Sequence, residues 1–388
     1  MSSFSSVYIN GLGVYLPNAP VESSDIEQYL GDVAVSKRLK DKIIRANGIR
    51  QRYYALDDTG NPTHLSEEMA ELACIEALDR TEYSLRDVEL LSFGTTHSDL
   101  LVPSITHMLL GRLGKRGLGP TSILPTSGVC LSSIFALKNA EMAIKCGEKS
   151  VALVGGVERP SVTMRACHYK DESYIKNTLR EEHPDYSFFH TAFLRWMLSD
   201  GSAAAVLSNK PSREGTSLKI DWIEITSYAN EAPTCMYAGT NVREGFMPTD
   251  TWWAQGSMHE ASEKGMIVIR QDPTLLNRYI APLGIKEALR LIRIGKLIPE
   301  EIDWFLPHFS SFVFQREMLD AMKESDINID EKKWFTNLAT KGNSGSAAIY
   351  IMLEEAVRTG LIQKGQKVLL MVPESARFSY GFVQLSCV

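Results

Sequence analysis

The sequence predicts an α/β protein built from two similar halves. Three observations carry this. Short apolar runs lack the in–out alternation of a half-exposed strand, helical patterns lie between them, and the order helix, strand, turn, helix, strand occurs twice. The chain has 388 residues, of which 44% are hydrophobic, enough for a large core and more than one domain-sized unit. With 23% charged residues it matches no collagen-like, coiled-coil or disordered class. A net charge of −6 argues against a general nucleic-acid binder and leaves room for a local basic rim around the entrance of an anionic substrate.

The apolar runs Val88–Phe93, Val151–Val154 and Val368–Val372 read as strands buried on both faces. In the first half a helical pattern ends at Glu76-Ala-Leu78 and a strand follows over Asp87–Gly94. In the second, a helical pattern ends at Glu287-Ala-Leu289 and a strand follows over Glu301–His308. Thr126–Gly156 and Lys341–Pro373 then each contain a glycine-bearing turn, a small-residue helix start, a long helix stopping at Gly147 or Gly360, and a strand. The halves are placed at 1–214 and 215–388, and duplication brings their matching turns together around an approximate two-fold axis. The stretch near 164–197, with His168, His183 and His190, reads as a cap insertion over a site. Gly201–Leu207 reads as a close-packed return strand, and 226–262, with Trp252-Trp253, as a second loop-rich insert.

Cys130 is the candidate nucleophile. Gly128 permits a tight turn before it, and an apolar helix starts directly after it, so the helix N-terminus lends the sulfur thiolate character. The bland alternative, a buried inert cysteine, is the common fate of this residue type. It is the reading given to Cys146, at the far end of the same helix, and to Cys74. His308 follows the buried run Trp304–Pro307 at a strand end, where α/β sheets present functional groups. Asn343 precedes the second long helix; it reads either as a helix cap or, with His308, as a donor to one thioester oxygen. His97 occupies the place in the first half that His308 holds in the second. Glu158 ends the strand Val151–Val157, either as an ion pair with adjacent Arg159 or as a general base.

The six cysteines are scattered, the histidines lack metal-ligand spacing, and no GxGxxG, GxxxxGK[ST] or HExxH motif is present, so no metal or permanent cofactor is predicted. The N-terminal stretch lacks a secretory pattern, and no apolar stretch is long enough to span a membrane. A reducing, cytoplasmic setting is the expectation.

Taken together, these residues resemble a family. Tyr15-Leu-Pro17, Asn47–Arg52, Gly94-Thr-Thr96 with Pro103-Ser104, Thr126–Ser133, Val154–Glu158, Ser199–Ala204, Pro307-His308 and Gly342-Asn-Ser344 are similar, in order and spacing, to thiolase-fold condensing enzymes of the β-ketoacyl-acyl-carrier-protein synthase III group. The resemblance spans nearly the whole chain. It implies a five-layered α-β-α-β-α fold from two similar halves, a homodimer, and substrates carried as thioesters on coenzyme A or acyl carrier protein. It places the family's nucleophile on Cys130, its histidine on His308 and its asparagine on Asn343. An oxyanion hole would be formed by the backbone N–H groups of Cys130 and Gly381.

Two departures stand out. Phe309-Ser-Ser311 replaces the family's Gln-Ala-Asn, and Glu374–Phe382 replaces its glycine-rich tail loop, with Gly381 surviving. These point away from a starter enzyme of fatty-acid synthesis and toward secondary metabolism, as in the dialkylresorcinol- and cyclohexanedione-forming subgroup. There a glutamate after the same strand, matching Glu158, serves as base. The implied activity is Claisen condensation of an acyl group on Cys130 with a malonyl or β-ketoacyl thioester, with ring closure open to two β-ketoacyl units. The alternatives are acyl transfer to a hydroxyl or amine, and a non-catalytic partner of an active condensing enzyme.

Overall fold

The apolar runs become the strands of one nine-stranded sheet in the computed structural model, which describes residues 5–33, 37–169, 193–241 and 250–388. The strands are β1 (Tyr8–Tyr15), β2 (Leu90–Gly94), β3 (Ser122–Ile123), β4 (Val151–Glu158), β5 (Gly201–Ser208), β6 (Leu218–Ser227), β7 (Trp304–Pro307), β8 (Lys367–Glu374) and β9 (Ser379–Cys387). Their order across the sheet is β7-β8-β9-β6-β1-β5-β4-β2-β3. The first five strands occupy one side and the last four the other. The two segments join where Tyr8 and Ile9 of β1 pair with Lys219 and Leu218 of β6. The expected return strand is β5, buried along its whole length and antiparallel to β4 and β1.

The period-2 burial of these strands generates the layers. In β8, Val368, Leu370 and Val372 enter one apolar cluster, while Leu369 and Met371 enter another. In β5, Ala203, Ala205 and Leu207 face the shared cluster, and Ala204 and Val206 face a third. Both faces of both segments therefore need a helical cover. Helices α1 (Ser66–Asp79) and α2 (Ile105–Gly114) cover the outer face of the first segment. Helices α4 (Pro273–Arg293) and α5 (Phe312–Glu324) cover that of the second. Between the segments lie α3 (Ser132–Lys145) and α6 (Ala348–Arg358), the long helices of the two matching stretches. The result is the α-β-α-β-α stack.

The two central helices are fastened at their N-termini. Ser133 Oγ donates to the Ser346 carbonyl at 2.5 Å, and Tyr350 Oη donates to the Ser133 carbonyl at 3.2 Å. Each helix runs out just before a glycine with left-handed φ, Gly147 at +75° and Gly360 at +72°. Residues 170–192, with His183, His190 and most of the expected cap, lie outside the described residues. Of that stretch's described histidines, His168 is exposed, its ring bonded to the Val162 carbonyl at 3.1 Å. Cys74 is buried as expected; Cys146 is exposed, because α3 ends at Lys145 and the chain turns outward there.

Candidate active site

Cys130 sits in the 3-10 turn Val129–Leu131 that feeds α3. The residue in the left-handed region is Val129, with φ +50°, rather than Gly128, whose φ of 161° is extended. A β-branched residue held at positive φ is strained, and strain of this kind presents the next side chain at a sharp elbow. The thiol is buried. Burial pushes its pKa up, and the carboxylates of Glu158 and Glu374 push the same way, against its own backbone N–H. Burial therefore works against the thiolate character expected from the helix end and favours the protonated sulfur.

His308 lies one residue beyond β7, its backbone N–H continuing the parallel ladder to the Met371 carbonyl at 2.8 Å. Its ring is 5% exposed and makes no hydrogen bond to the described residues. Desolvation lowers its pKa to about 4, so it is a neutral imidazole near neutral pH. The following Phe309 is core, and Ser311 caps α5 by accepting the Val313 N–H at 3.2 Å. Phe309 and Ser311 of the departing stretch thus have structural roles, and Ser310 between them lines the cavity.

Asn343 is clamped on both sides of its backbone: its N–H meets the Met197 carbonyl at 3.0 Å, and its carbonyl takes the Ser199 N–H at 2.8 Å. Its Oδ1 accepts the Gly345 N–H at 2.9 Å. The cap and donor readings are therefore compatible. The oxygen is spent on the turn before α6, and the Nδ2 hydrogens are left for a ligand.

Glu158 ends β4 and is 5% exposed. Arg159 does not satisfy it, because that guanidinium pairs with Asp99 at 2.7 Å. Instead Glu158 Oε1 accepts from the Thr96 N–H at 2.9 Å, Thr96 Oγ1 at 2.8 Å, the Ser346 N–H at 3.2 Å and Ser346 Oγ at 2.6 Å. Oε2 accepts nothing from the described residues. Burial outweighs the hydrogen bonds and raises the pKa to about 7. Thr96 and Ser346 come from the two halves, and the sequence marks neither as a site residue, although Thr96 lies in the family-like stretch Gly94-Thr-Thr96. The signal they share is their place in matching turns, beside Gly94 and Asn343.

Cys130, Glu158, His308 and Asn343 line one cavity, together with His97, whose pKa is lowered by burial. The space, about 1150 Å³ counted out to the solvent at its mouth, continues between α4 and α5 along Met197, Met236, Ile267, Ile280, Phe314 and Met318. Met236 and Ile267 come from the region around the second insert, which the sequence marked only as loop-rich. Gly381 is not among the lining residues. It lies inside β9, between Val372 and Ile225 in the ladder, and a Cβ there would stand 2.5 Å from Leu131 Cδ2. Its smallness lets β9 pass under the Cys130 turn, so it is a packing residue and not a rim donor. Among the described residues, no helix is long and apolar enough to cross a membrane, and no group of three His, Cys, Asp or Glu residues could hold a metal ion.

Two sheet segments around a shared pair of helices, with a cysteine entering one helix and an asparagine before the other, define the thiolase fold. Residues 294–382 match the family described as 3-oxoacyl-[acyl-carrier-protein (ACP)] synthase III C terminal. Among solved structures, the chain is similar to AbyA1, a tetronic acid condensing enzyme, with TM-score 0.71 and 18% identity over 98% of this chain and 99% of that one. It is similar to 3-oxoacyl-[acyl-carrier-protein] synthase III from Aquifex aeolicus, with TM-score 0.69 and 20% identity over 98% and 99% of the two chains. A variant of OleA from Xanthomonas campestris gives TM-score 0.72 and 19% identity over 100% and 99%.

Proposed function

We propose that the protein is a β-ketoacyl synthase III-like acyltransferase that joins two acyl thioesters by Claisen condensation, acting in secondary metabolism. The observation that carries this reading is the convergence of Cys130, His308, Asn343 and Glu158 on one apolar-armed cavity. In the first half-reaction the Cys130 sulfur attacks the carbonyl of an acyl thioester, and the carrier thiol leaves. The proton that leaves the Cys130 sulfur ends on the departing carrier thiolate, and the acyl chain lies along the apolar arm.

In the second half-reaction a malonyl or β-ketoacyl thioester enters. Its oxygen accepts from Asn343 Nδ2 and from His308, so the enolate that forms is held by two donors in a dry site. The carbanion arises by loss of CO2 from a malonyl unit, or by proton transfer from carbon to Glu158 Oε2. A carboxylate whose pKa lies near 7 is matched to that task. Attack of the carbanion on the acyl-enzyme forms the C–C bond and returns the electron pair to sulfur. Coenzyme A or an acyl carrier protein delivers both units, and the working assembly is a homodimer.

The test is intact-protein mass spectrometry after incubation with an acyl thioester, followed by product analysis with and without malonyl thioester. Cys130→Ala should gain no acyl mass. His308→Ala and Asn343→Ala should still acylate, with no C–C product formed. An acyl label retained on the Cys130→Ala protein refutes the reading. A product formed without a malonyl or β-ketoacyl unit, on an alcohol or amine, replaces it with simple acyl transfer.

A further inference from the structure

Among the polar cavity residues that the reaction above leaves unused are Gln271 and Ser375. Ser375 belongs to the turn Glu374-Ser-Ala-Arg377, which stands where the glycine-rich loop of similar proteins would supply a backbone donor. In this chain the amides of that turn are already committed. The buried Glu374 carboxylate folds back on its own turn: Oε1 takes the Ala376 N–H, and Oε1 and Oε2 share the Arg377 N–H at 3.3 and 3.4 Å. An amide bonded to a carboxylate is not free to meet a developing oxyanion. Gly381, five residues beyond Ala376, is locked in the sheet ladder.

What this turn does present to the cavity is Ser375. Gln271, 3% exposed, donates from Nε2 to Ser375 Oγ at 2.8 Å. That bond occupies an oxygen lone pair and leaves the hydroxyl hydrogen, which has no acceptor among the described residues. Strand β8, which ends at Glu374, packs against the turn that carries Cys130. Ser375 and Cys130 both line the same cavity.

We infer that Ser375 Oγ–H, held in place by Gln271, is the oxyanion donor that works beside the Cys130 N–H during acylation. This rests on the proposed acyl-enzyme. As the Cys130 sulfur bonds to the carbonyl carbon, the C=O electron pair moves onto oxygen, which accepts from the Cys130 N–H and the Ser375 O–H. Collapse restores C=O, breaks the bond to the carrier sulfur and expels the carrier thiolate, which takes the proton that Cys130 gave up. A side-chain hydroxyl thus replaces a loop amide, and Gln271 acts through it as a positioning residue.

The test is single-turnover acylation by an acyl-coenzyme A, followed by intact mass, with thermal melting as a folding control. Removing one such donor slows the chemical step by about 10²-fold. Ser375→Ala and Ser375→Gly should both show that loss, with the substrate concentration at half-maximal rate little changed, and Ser375→Thr should restore most of the rate. Gln271→Ala should be slow alone and should add nothing to Ser375→Ala. Ser375→Ala acylating at the wild-type rate overturns the inference while leaving the proposed function standing, as does independent, additive loss from Gln271→Ala. A wild-type protein that takes up no acyl group at all overturns both.

Discussion

At the scale of single residues, the site is governed by desolvation. Cys130, His308 and Glu158 are all pushed toward their neutral forms by burial. For Glu158 the consequence is measurable. Its folded pKa is raised to about 7 from an ordinary value of 4.5. Below the ordinary value the carboxyl is protonated in both the folded and unfolded states. As pH rises toward 7, the unfolded chain releases a proton that the folded one still holds, so stability falls across that window. Glu158→Gln removes this penalty, and its melting temperature should gain on the wild type between pH 5 and pH 8. If non-decarboxylative condensation uses Glu158 as base, its rate should rise through pH 7 in the wild type, and that limb should vanish in Glu158→Gln. A limb that persists in the variant assigns it to another group.

At the scale of elements, Cys130 and Asn343 stand where the starts of the two central helices meet. Gly345, between Asn343 and Ser346, has φ +50°, and a Cβ there would stand 2.9 Å from Glu158 Cγ. Gly345→Ala should therefore destabilise by about 1–3 kcal/mol through backbone strain, and should also displace the carboxylate, moving the pH–rate limb. Tyr350→Phe is the contrasting case. It deletes the bond from α6 to the Ser133 carbonyl, 3.2 Å long, and should cost about 1 kcal/mol in denaturant unfolding. Because Tyr350 does not line the cavity, acylation should proceed at the wild-type rate. A large loss of acylation in Tyr350→Phe would mean that the helix junction is tuned more finely than hydrogen bonding alone requires.

At the scale of the whole molecule, the second segment's outer helices do two things at once. Ile280 of α4 and Met318 of α5 pack in the core and also line the apolar arm of the cavity. The depth of that arm is therefore set by helix packing. Met318→Trp should fill part of the arm and lower acylation by a long-chain thioester by about tenfold or more while sparing an acetyl thioester, a discrimination of the size hydrophobic pockets achieve. Equal loss for both chain lengths would place the acyl group elsewhere.

The sequence by itself determined the strand runs and the paired helices, and it singled out Cys130, His308 and Asn343 as candidates that share one cavity. Those signals are local: side-chain period, glycine at a helix end, a polar residue at a helix start or strand end. Only the tertiary structure decided how those residues behave. Thr96 and Ser346 meet Glu158 across 62 and 188 positions of chain. Gln271 reaches Ser375 across 104. Gly381 looked like a surviving loop glycine and proved to be a packing residue under Leu131. The helix start at Cys130 is local in the sequence, whereas the rise in its thiol pKa comes from burial by the stacked layers. Burial is a sum over neighbours from the whole chain, and no window of adjacent residues contains it.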